Sequence, residues 1–199
     1  MQVSLFRALH QSEDVRFILN AGRPCPCGST ELWKKCCGEG RLRELVFKYI
    51  TMFMKASNHV ALLLPHNNSS EWMSEEGARF CEEAFRGSGG SELLDEGRRG
   101  SFETLSNPKY SGKMQVLLEL LGALREEEEP AKVLLFSYST ALLDILEPFV
   151  QSLAHNYLRL DGKTRPEARQ DLVDQGSGFL PSQNNNSNGL KMKYLSNLA

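Results

Sequence analysis

Four cysteines fall within thirteen residues of the segment GRPCPCGSTELWKKCCG: Cys25, Cys27, Cys36 and Cys37. They form a Cys-x-Cys pair and a Cys-Cys pair with eight residues between them. Four thiolates can surround a zinc ion tetrahedrally at about 2.3 Å each. Two close pairs on a short tether let a small loop do this without a large core. Gly28 and Ser29 suit the turn after the first pair, and Pro24 and Pro26 stiffen it, so less entropy is lost on ordering. All four coordination positions are taken by protein, so such a metal would be structural rather than catalytic. Two disulfides or free thiols are the alternatives. Neighbouring sulfurs within either pair are badly placed for a relaxed disulfide. A chain without a secretory signal stays in a reducing compartment, where clustered cysteines favour metal.

The other reactive side chains suggest less chemistry. His59 lies in an apolar helical stretch and reads as a hydrogen-bonded core residue. Asp161 has no second acid nearby in sequence, so no carboxylate dyad is supported. Arg169 is expected to face solvent or a neighbouring lobe, and Cys81 to be an ordinary helix residue. No Ser/His/Asp or Cys/His set stands at a recognisable spacing, and no catalytic residue is assigned.

Composition bounds the classes that could hold this segment. The chain has 199 residues, enough for one domain or two small ones. It carries 23 basic and 25 acidic side chains, a net charge of −2. No global field draws it to DNA or to an acidic membrane, so any nucleic-acid contact must come from a local patch. Its mean hydropathy is −0.36. No run of about 18 apolar residues exists to span a membrane, and the N-terminus lacks a signal-peptide pattern.

The elements that would position these residues follow from periodicity. Residues 1–20 read as one or two short helices broken at Ser12, a plausible N-cap. The knuckle occupies 21–40. From Leu42 the apolar positions Leu45, Tyr49, Phe53, Ala56, Val60 and Leu63 predict one long helix over 41–65, ending before Pro65. Residues 66–108 read as an acidic, solvated, flexible insertion or linker. A helix is expected there over Trp72–Phe85, and Glu71–Arg99 holds eight acids against four arginines.

A different pattern fills 109–174. Met114–Glu129 is helical, with Leu117, Leu120, Leu121 and Leu124 inward, and Glu126–Glu129 is its solvated end. The apolar run Lys132–Phe136 reads as a strand buried on both faces. Thr140–Leu153 is helical with Leu142, Leu143, Leu146 and Val150 inward. Tyr157–Leu160 is a second strand. Thr164 and Glu167 form a capping box that opens a helix to about Gln175. This order implies parallel strands joined by right-handed crossovers, the start of an open α/β sheet. The Asn-rich stretch 175–199 is expected to be disordered.

The residues Pro24, Cys25, Pro26, Cys27, Gly28 and Ser29, with Lys34, Lys35, Cys36, Cys37 and Gly38, closely resemble the SEC-C zinc knuckle. That resemblance implies zinc and a small protein-interaction surface. Ser111-Gly112-Lys113, the strand KVLLFSYST at 132–140, the helix at 141–149, and YLRLDGKT at 157–164 followed by Arg169 resemble the second motor lobe of Swi/Snf ATPases of helicase superfamily two. KASNHVALL at 55–63 resembles the helix that carries an Asn-His pair before that lobe, and MQVSLFRAL at 1–9 a still earlier helix. The fold implied is a partial RecA-like lobe, an incomplete parallel sheet with flanking helices, preceded by a mainly helical region carrying the knuckle.

The Swi/Snf resemblance also implies function. Such motors hydrolyse ATP, with magnesium, to move along duplex DNA, and act in the nucleus in DNA repair. It implies backbone contacts from two strand-end loops: Ser137, Tyr138 and Ser139, and Gly162, Lys163 and Thr164. The second loop precedes a helix N-terminus, where N–H groups suit a phosphate. Both loops also read as ordinary helix-capping turns. The sequence holds no G-x-x-x-x-G-K-[ST] phosphate loop. Beyond Val173 the family continues into further strands, a Gly-rich motif and a Gln-x-x-x-Arg-x-x-Arg helix, where this chain has its Asn-rich tail. The expectation is a fragment, truncated isoform or retained-intron product that does not hydrolyse ATP, binds DNA weakly, and needs ATP only in a complete relative. Its alternatives are a zinc-stabilised protein-binding module without catalysis, and an inert truncated product.

Overall fold

The computed structural model describes residues 1–64, 81–82, 84–99, 106–126, 132–178 and 191–196. The chain divides into two compact units, Met1–Ser101 and Phe102–Ala199.

The first unit is helical. Helix α1 spans Gln2–His10 and α2 spans Glu13–Asn20. The break falls at Ser12, whose hydroxyl accepts the Val15 N–H at 3.3 Å, as the sequence led us to expect. Glu13 and Asp14 in the first turn suit the positive end of the helix dipole. Helix α3, Arg41–Asn58, buries Leu45, Tyr49, Met52 and Ala56. These steps of three and four residues put one apolar stripe against the shorter helices. The Gln2 side chain donates to the Ala56 carbonyl at 2.7 Å, Phe6 meets Phe53 at 4.8 Å, and the Tyr49 hydroxyl donates to Asp14 at 3.1 Å. Burial of Leu45 and Met52 contributes about 1.5–3 kcal/mol each, and the Ala56 methyl about 0.8 kcal/mol.

Helix α3 stops seven residues short of Pro65. His59 is extended at φ −157° and ψ 132°, and a 3-10 turn follows at Val60–Leu63. The His59 ring nitrogen Nδ1 accepts the Ala61 N–H at 3.1 Å. His59 is therefore a buried cap, as a hydrogen-bonded core residue should be, but it lies off the helix.

One further expectation for this unit needs correction. The stretch 66–108 is not wholly a solvated linker: Cys81, Ala84, Phe85, Leu93 and Leu94 are buried, the last two on α4, Ser91–Arg99. Its charge is high, but its few apolar residues are grouped closely enough to form a core face. Residues 72–80 of the expected acidic helix lie outside the described residues.

The second unit is α/β. Helix α5 spans Gly112–Arg125, β1 Lys132–Ser137, α6 Thr140–Ser152, β2 Asn156–Leu160, α7 Pro166–Gly178 and β3 Lys191–Ser196. The sheet order is β1-β3-β2, all parallel. Lys132 and Asn156 share the register of Lys191, and Phe136 and Leu160 that of Leu195. The chain goes outward from β1 to β2 and then returns to the middle.

Strand β3 corrects the expectation of an unstructured tail. KMKYLS alternates in polarity at a strand's period and joins both ladders. The two strands expected beforehand are thus not neighbours, because the tail lies between them.

Strand β1 is also not buried on both faces. Val133 and Leu135 are half-buried, while Leu134 is 53% and Phe136 72% exposed. Of the residues expected inward on α5, Leu121 is buried, Leu117 and Leu124 are half-buried and Leu120 is exposed, while Met114, not among them, is buried. Helix α6 keeps most of its expected face: Leu143, Leu146 and Val150 are buried, joined by Ile145 and Phe149, while Leu142 is only half-buried. Ser111 and Ser139 cap α5 and α6, each accepting the N–H three residues on at 3.3 Å.

Candidate functional site

The knuckle begins where α2 ends. A backbone frame folds it: Lys34 N–H to Ala21 O at 3.1 Å, Trp33 N–H to Arg23 O at 2.9 Å, and Cys25 N–H to Glu31 O at 2.9 Å. Pro24 and Leu32 form a one-residue antiparallel bridge. After Cys25 the chain turns through Gly28 at φ +89°, a conformation that favours glycine. The Lys35 and Cys36 N–H groups both bond to Leu32 O, at 2.9 and 3.0 Å, which bends the second pair back toward the first.

The knuckle is seated on α2 by aromatic packing. Phe17 meets Trp33 edge-on, with centroids 5.3 Å apart and planes at 73°. The Gly38 backbone lies so close to the Phe17 ring that a Cβ there would overlap it.

Inside this frame the four ligand sulfurs lie within 4.8 Å of one another. Cys27 Sγ is 3.6 Å from Cys36 Sγ, which is 3.8 Å from Cys37 Sγ. A regular tetrahedron with metal–sulfur bonds of about 2.3 Å has edges of about 3.8 Å. The donor set and spacing therefore fit one tetrahedral ion. None of the four is disulfide-bonded. Cys25 is buried, Cys36 half-buried, and Cys27 and Cys37 exposed.

The thiols are unequal. The Cys27 backbone N–H pulls the Cys25 thiol down to about 6, outweighing its burial. Hydrogen bonding to Cys25 and then Cys36 pushes Cys37 up to about 12, and bonding to Cys27 and then Cys25 raises Cys36. Without metal the sulfurs share protons in one network, and a soft divalent cation would take the place of those protons.

The strand-end loops are organised differently. Ser137 Oγ accepts the Ser139 N–H and donates to the Ser139 carbonyl, both at 3.0 Å. Ser139 Oγ caps α6. In the second loop, Asp161 Oδ1 accepts the Lys163 N–H at 2.8 Å, and Asp161 N–H donates to Thr164 Oγ1 at 3.1 Å. Thr164 N–H bonds to Asp161 O at 3.1 Å, and Thr164 O accepts from Arg169 Nε at 3.1 Å. The Thr164 hydroxyl thus turns back to Asp161 instead of forward to Glu167, and α7 opens at Pro166.

Of the expected phosphate donors, the Ser137 hydroxyl and the N–H groups of Lys163 and Thr164 are engaged within the protein, while the Ser139 and Thr164 hydroxyls accept backbone N–H groups and so are held in place by their capping bonds. What faces solvent is Tyr138, 91% exposed, and Lys163 at the flexible end of an exposed side chain, with Gly162 beside it. Arg169, read from sequence as facing solvent or a neighbouring lobe, is half-buried and braces the loop.

Sequence reasoning missed Arg159. It sits on β2 with its guanidinium against Asp144, Glu147 and Asp161. Asp144 and Glu147 at i and i+3 on an amphipathic helix, facing a strand with one arginine, was the available signal.

The chain is Swi/Snf-family, helicase-like sequence, and its α/β unit is a three-stranded parallel sheet with flanking helices. It is 38% identical over 179 residues to the DNA excision repair protein ERCC-6-like 2 of Mus musculus, covering 87% of this chain and 11% of that protein. It is 29% identical to Switch 2 of Arabidopsis thaliana, over 87% of this chain and 22% of that one. It is 44% identical to the DNA repair and recombination protein RAD26 of Saccharomyces cerevisiae, over 42% of this chain and 8% of that one. The chain thus spans a small part of the curated relatives it matches. The solved C-terminal part of the Fun30 ATPase domain aligns over 96% of this chain and 64% of its own, at 21% identity and a TM-score of 0.48. No family model matches. Among the described residues, no helix is long and apolar enough to cross a membrane.

Proposed function

We propose that this chain is the inter-lobe and early second-lobe part of a Swi/Snf-type, ATP-dependent DNA translocase acting in DNA repair, and that it engages duplex DNA without hydrolysing ATP by itself. The observation that carries this is the 38% identity to the mouse excision-repair protein along 87% of the chain. The nuclear location follows from the same likeness.

The cysteine knuckle is, in this reading, a SEC-C-like site for one structural zinc held by Cys25, Cys27, Cys36 and Cys37. Zinc supplies a fixed tetrahedral cross-link there and no catalysis. The chain's own residues do the rest: the backbone frame aims the sulfurs, and Phe17 and Trp33 seat the loop.

DNA contact falls to Tyr138 and Lys163, whose loops are shaped by Ser137, Ser139, Gly162 and Thr164. With so few phosphate contacts, binding should be weak and lost at moderate salt. ATP hydrolysis needs a phosphate loop that this sequence lacks. A fluorescence titration with duplex DNA, run beside an ATPase assay, tests the proposal. It expects weak, salt-sensitive binding and no turnover. DNA-stimulated hydrolysis that survives further purification contradicts it, as does the absence of any binding at low salt.

A second reading is a zinc-stabilised protein-binding module without catalysis. It is favoured by the exposure of Cys27 and Cys37 on a knuckle whose other side is seated on α2.

A further inference from the structure

Arg159 makes more polar contacts than a strand arginine needs. Its guanidinium is largely covered, with the side chain 19% exposed. Nη2 lies 2.6 Å from Asp144 Oδ1, Nη1 donates to Glu147 Oε2 at 2.8 Å, and Nε donates to Asp161 Oδ2 at 2.8 Å. Two of these acids come from α6 and the third, Asp161, directly follows the strand. Glu147 also accepts from the Tyr157 hydroxyl at 2.7 Å, and Tyr157 in turn accepts from Gln151 at 2.6 Å. A rigid guanidinium fork can serve three carboxylates at once, which a lysine ammonium cannot do with the same geometry.

Asp161 passes this restraint into the loop. One carboxylate oxygen faces Arg159 and the other holds the Lys163 N–H at 2.8 Å. Burial alone would push its carboxyl up. The Lys163 N–H and Arg159 outweigh that, and the net shift is down. The turn Asp161–Thr164 is therefore set by an ionised, nearly buried carboxylate whose position depends on Arg159.

We infer that Arg159 is a positioning residue: acting through Asp161, it sets the Gly162–Thr164 turn from which Lys163 meets a DNA phosphate. This rests on the DNA-binding reading above. The ion pairs are satisfied within the protein, so Arg159 itself touches no phosphate, and its influence on DNA is indirect.

The test measures affinity for duplex DNA against salt concentration, using the full chain and the variants Arg159→Gln, Asp161→Asn, Lys163→Ala and Arg159→Gln/Lys163→Ala. Thermal unfolding of each runs alongside. Lys163→Ala should reduce the slope of log affinity on log salt by about 0.9, the value for one phosphate contact. Arg159→Gln should reduce it by the same amount, and the double variant by no more than either. Asp161→Asn, a near-isosteric change, gives the same reading if Arg159→Gln fails to fold. A merely structural role would lower the unfolding temperature and leave the salt slope unchanged. If Lys163→Ala lowers the slope while Arg159→Gln and Asp161→Asn do not, the positioning role is overturned and the DNA reading stands. If Lys163→Ala leaves affinity and slope unchanged, both fall together.

Discussion

The knuckle and the strand-end loops each gather polar side chains at a bend in the chain, and they use them in opposite ways. In the knuckle, backbone groups bond to one another and leave four sulfurs converging, with Cys27 Sγ 3.6 Å from Cys36 Sγ. In the loops the side chains themselves complete the turns: Ser139 caps α6, and Asp161 and Thr164 close the turn before α7. Donors that converge on a centre indicate a ligand from outside the chain. Side-chain oxygens that accept from their own backbone indicate scaffolding, and leave the exposed side chains beside them, Tyr138 and Lys163, as the first candidates for contact with a partner. Hydroxyls at a strand end therefore cannot be counted as phosphate contacts until their capping duties are known.

The largest effect that would break this contrast is loss of a sulfur. Cys36→Ser should unfold residues 22–40, because zinc binding in such small sites is itself folding free energy, of order 10 kcal/mol. Amide hydrogen exchange should show protection lost there and kept in β1, β2 and α6. Equal loss in both units would mean that the knuckle is not a local module. Next is Gly38→Ala. The added methyl meets the Phe17 ring, and overpacking of this kind costs about 1–3 kcal/mol. Urea unfolding checks it, and an unchanged midpoint would show that the seat on α2 is loose.

Ser139→Ala sharpens the other side. It removes the α6 cap and should cost about 1 kcal/mol of stability. Lys163→Ala should instead lower DNA affinity and leave the unfolding midpoint within error of the parent. The smallest effect concerns His155, whose burial, aided by Arg125, lowers its pKa. The unfolded chain then binds more protons near its ordinary value of about 6.5. Stability contributed by the neutral ring is present above that value and is lost as the pH falls through it toward the folded pKa. A thermal-unfolding series from pH 7.5 to 5.5 should show this, and His155→Gln should flatten it.

What could be read in advance was what is written locally. The cysteine cluster, the Ser12 cap and the inward face of α6 each depend on residues a few positions apart. What could not be read depended on distant strands. KMKYLS at 191–196 has a strand's alternation, but its Asn-rich approach hid it, and only pairing with β1 and β2 gives it a place. The apolar run of β1 looks the same whether both faces are covered or one is, and here Leu134 and Phe136 remain exposed. Likewise, acidic composition concealed the buried Cys81, Phe85 and Leu93. Arg159 was missed because its three partners lie 2, 12 and 15 positions away.

The most direct test of the account is the metal content of the reduced chain, purified without chelator and measured by elemental analysis beside its Cys27→Ser and Cys36→Ser variants. One zinc per chain in the parent, and far less in either variant, is the predicted result. A folded, reduced parent that carries no metal and takes up none on titration with zinc would contradict it.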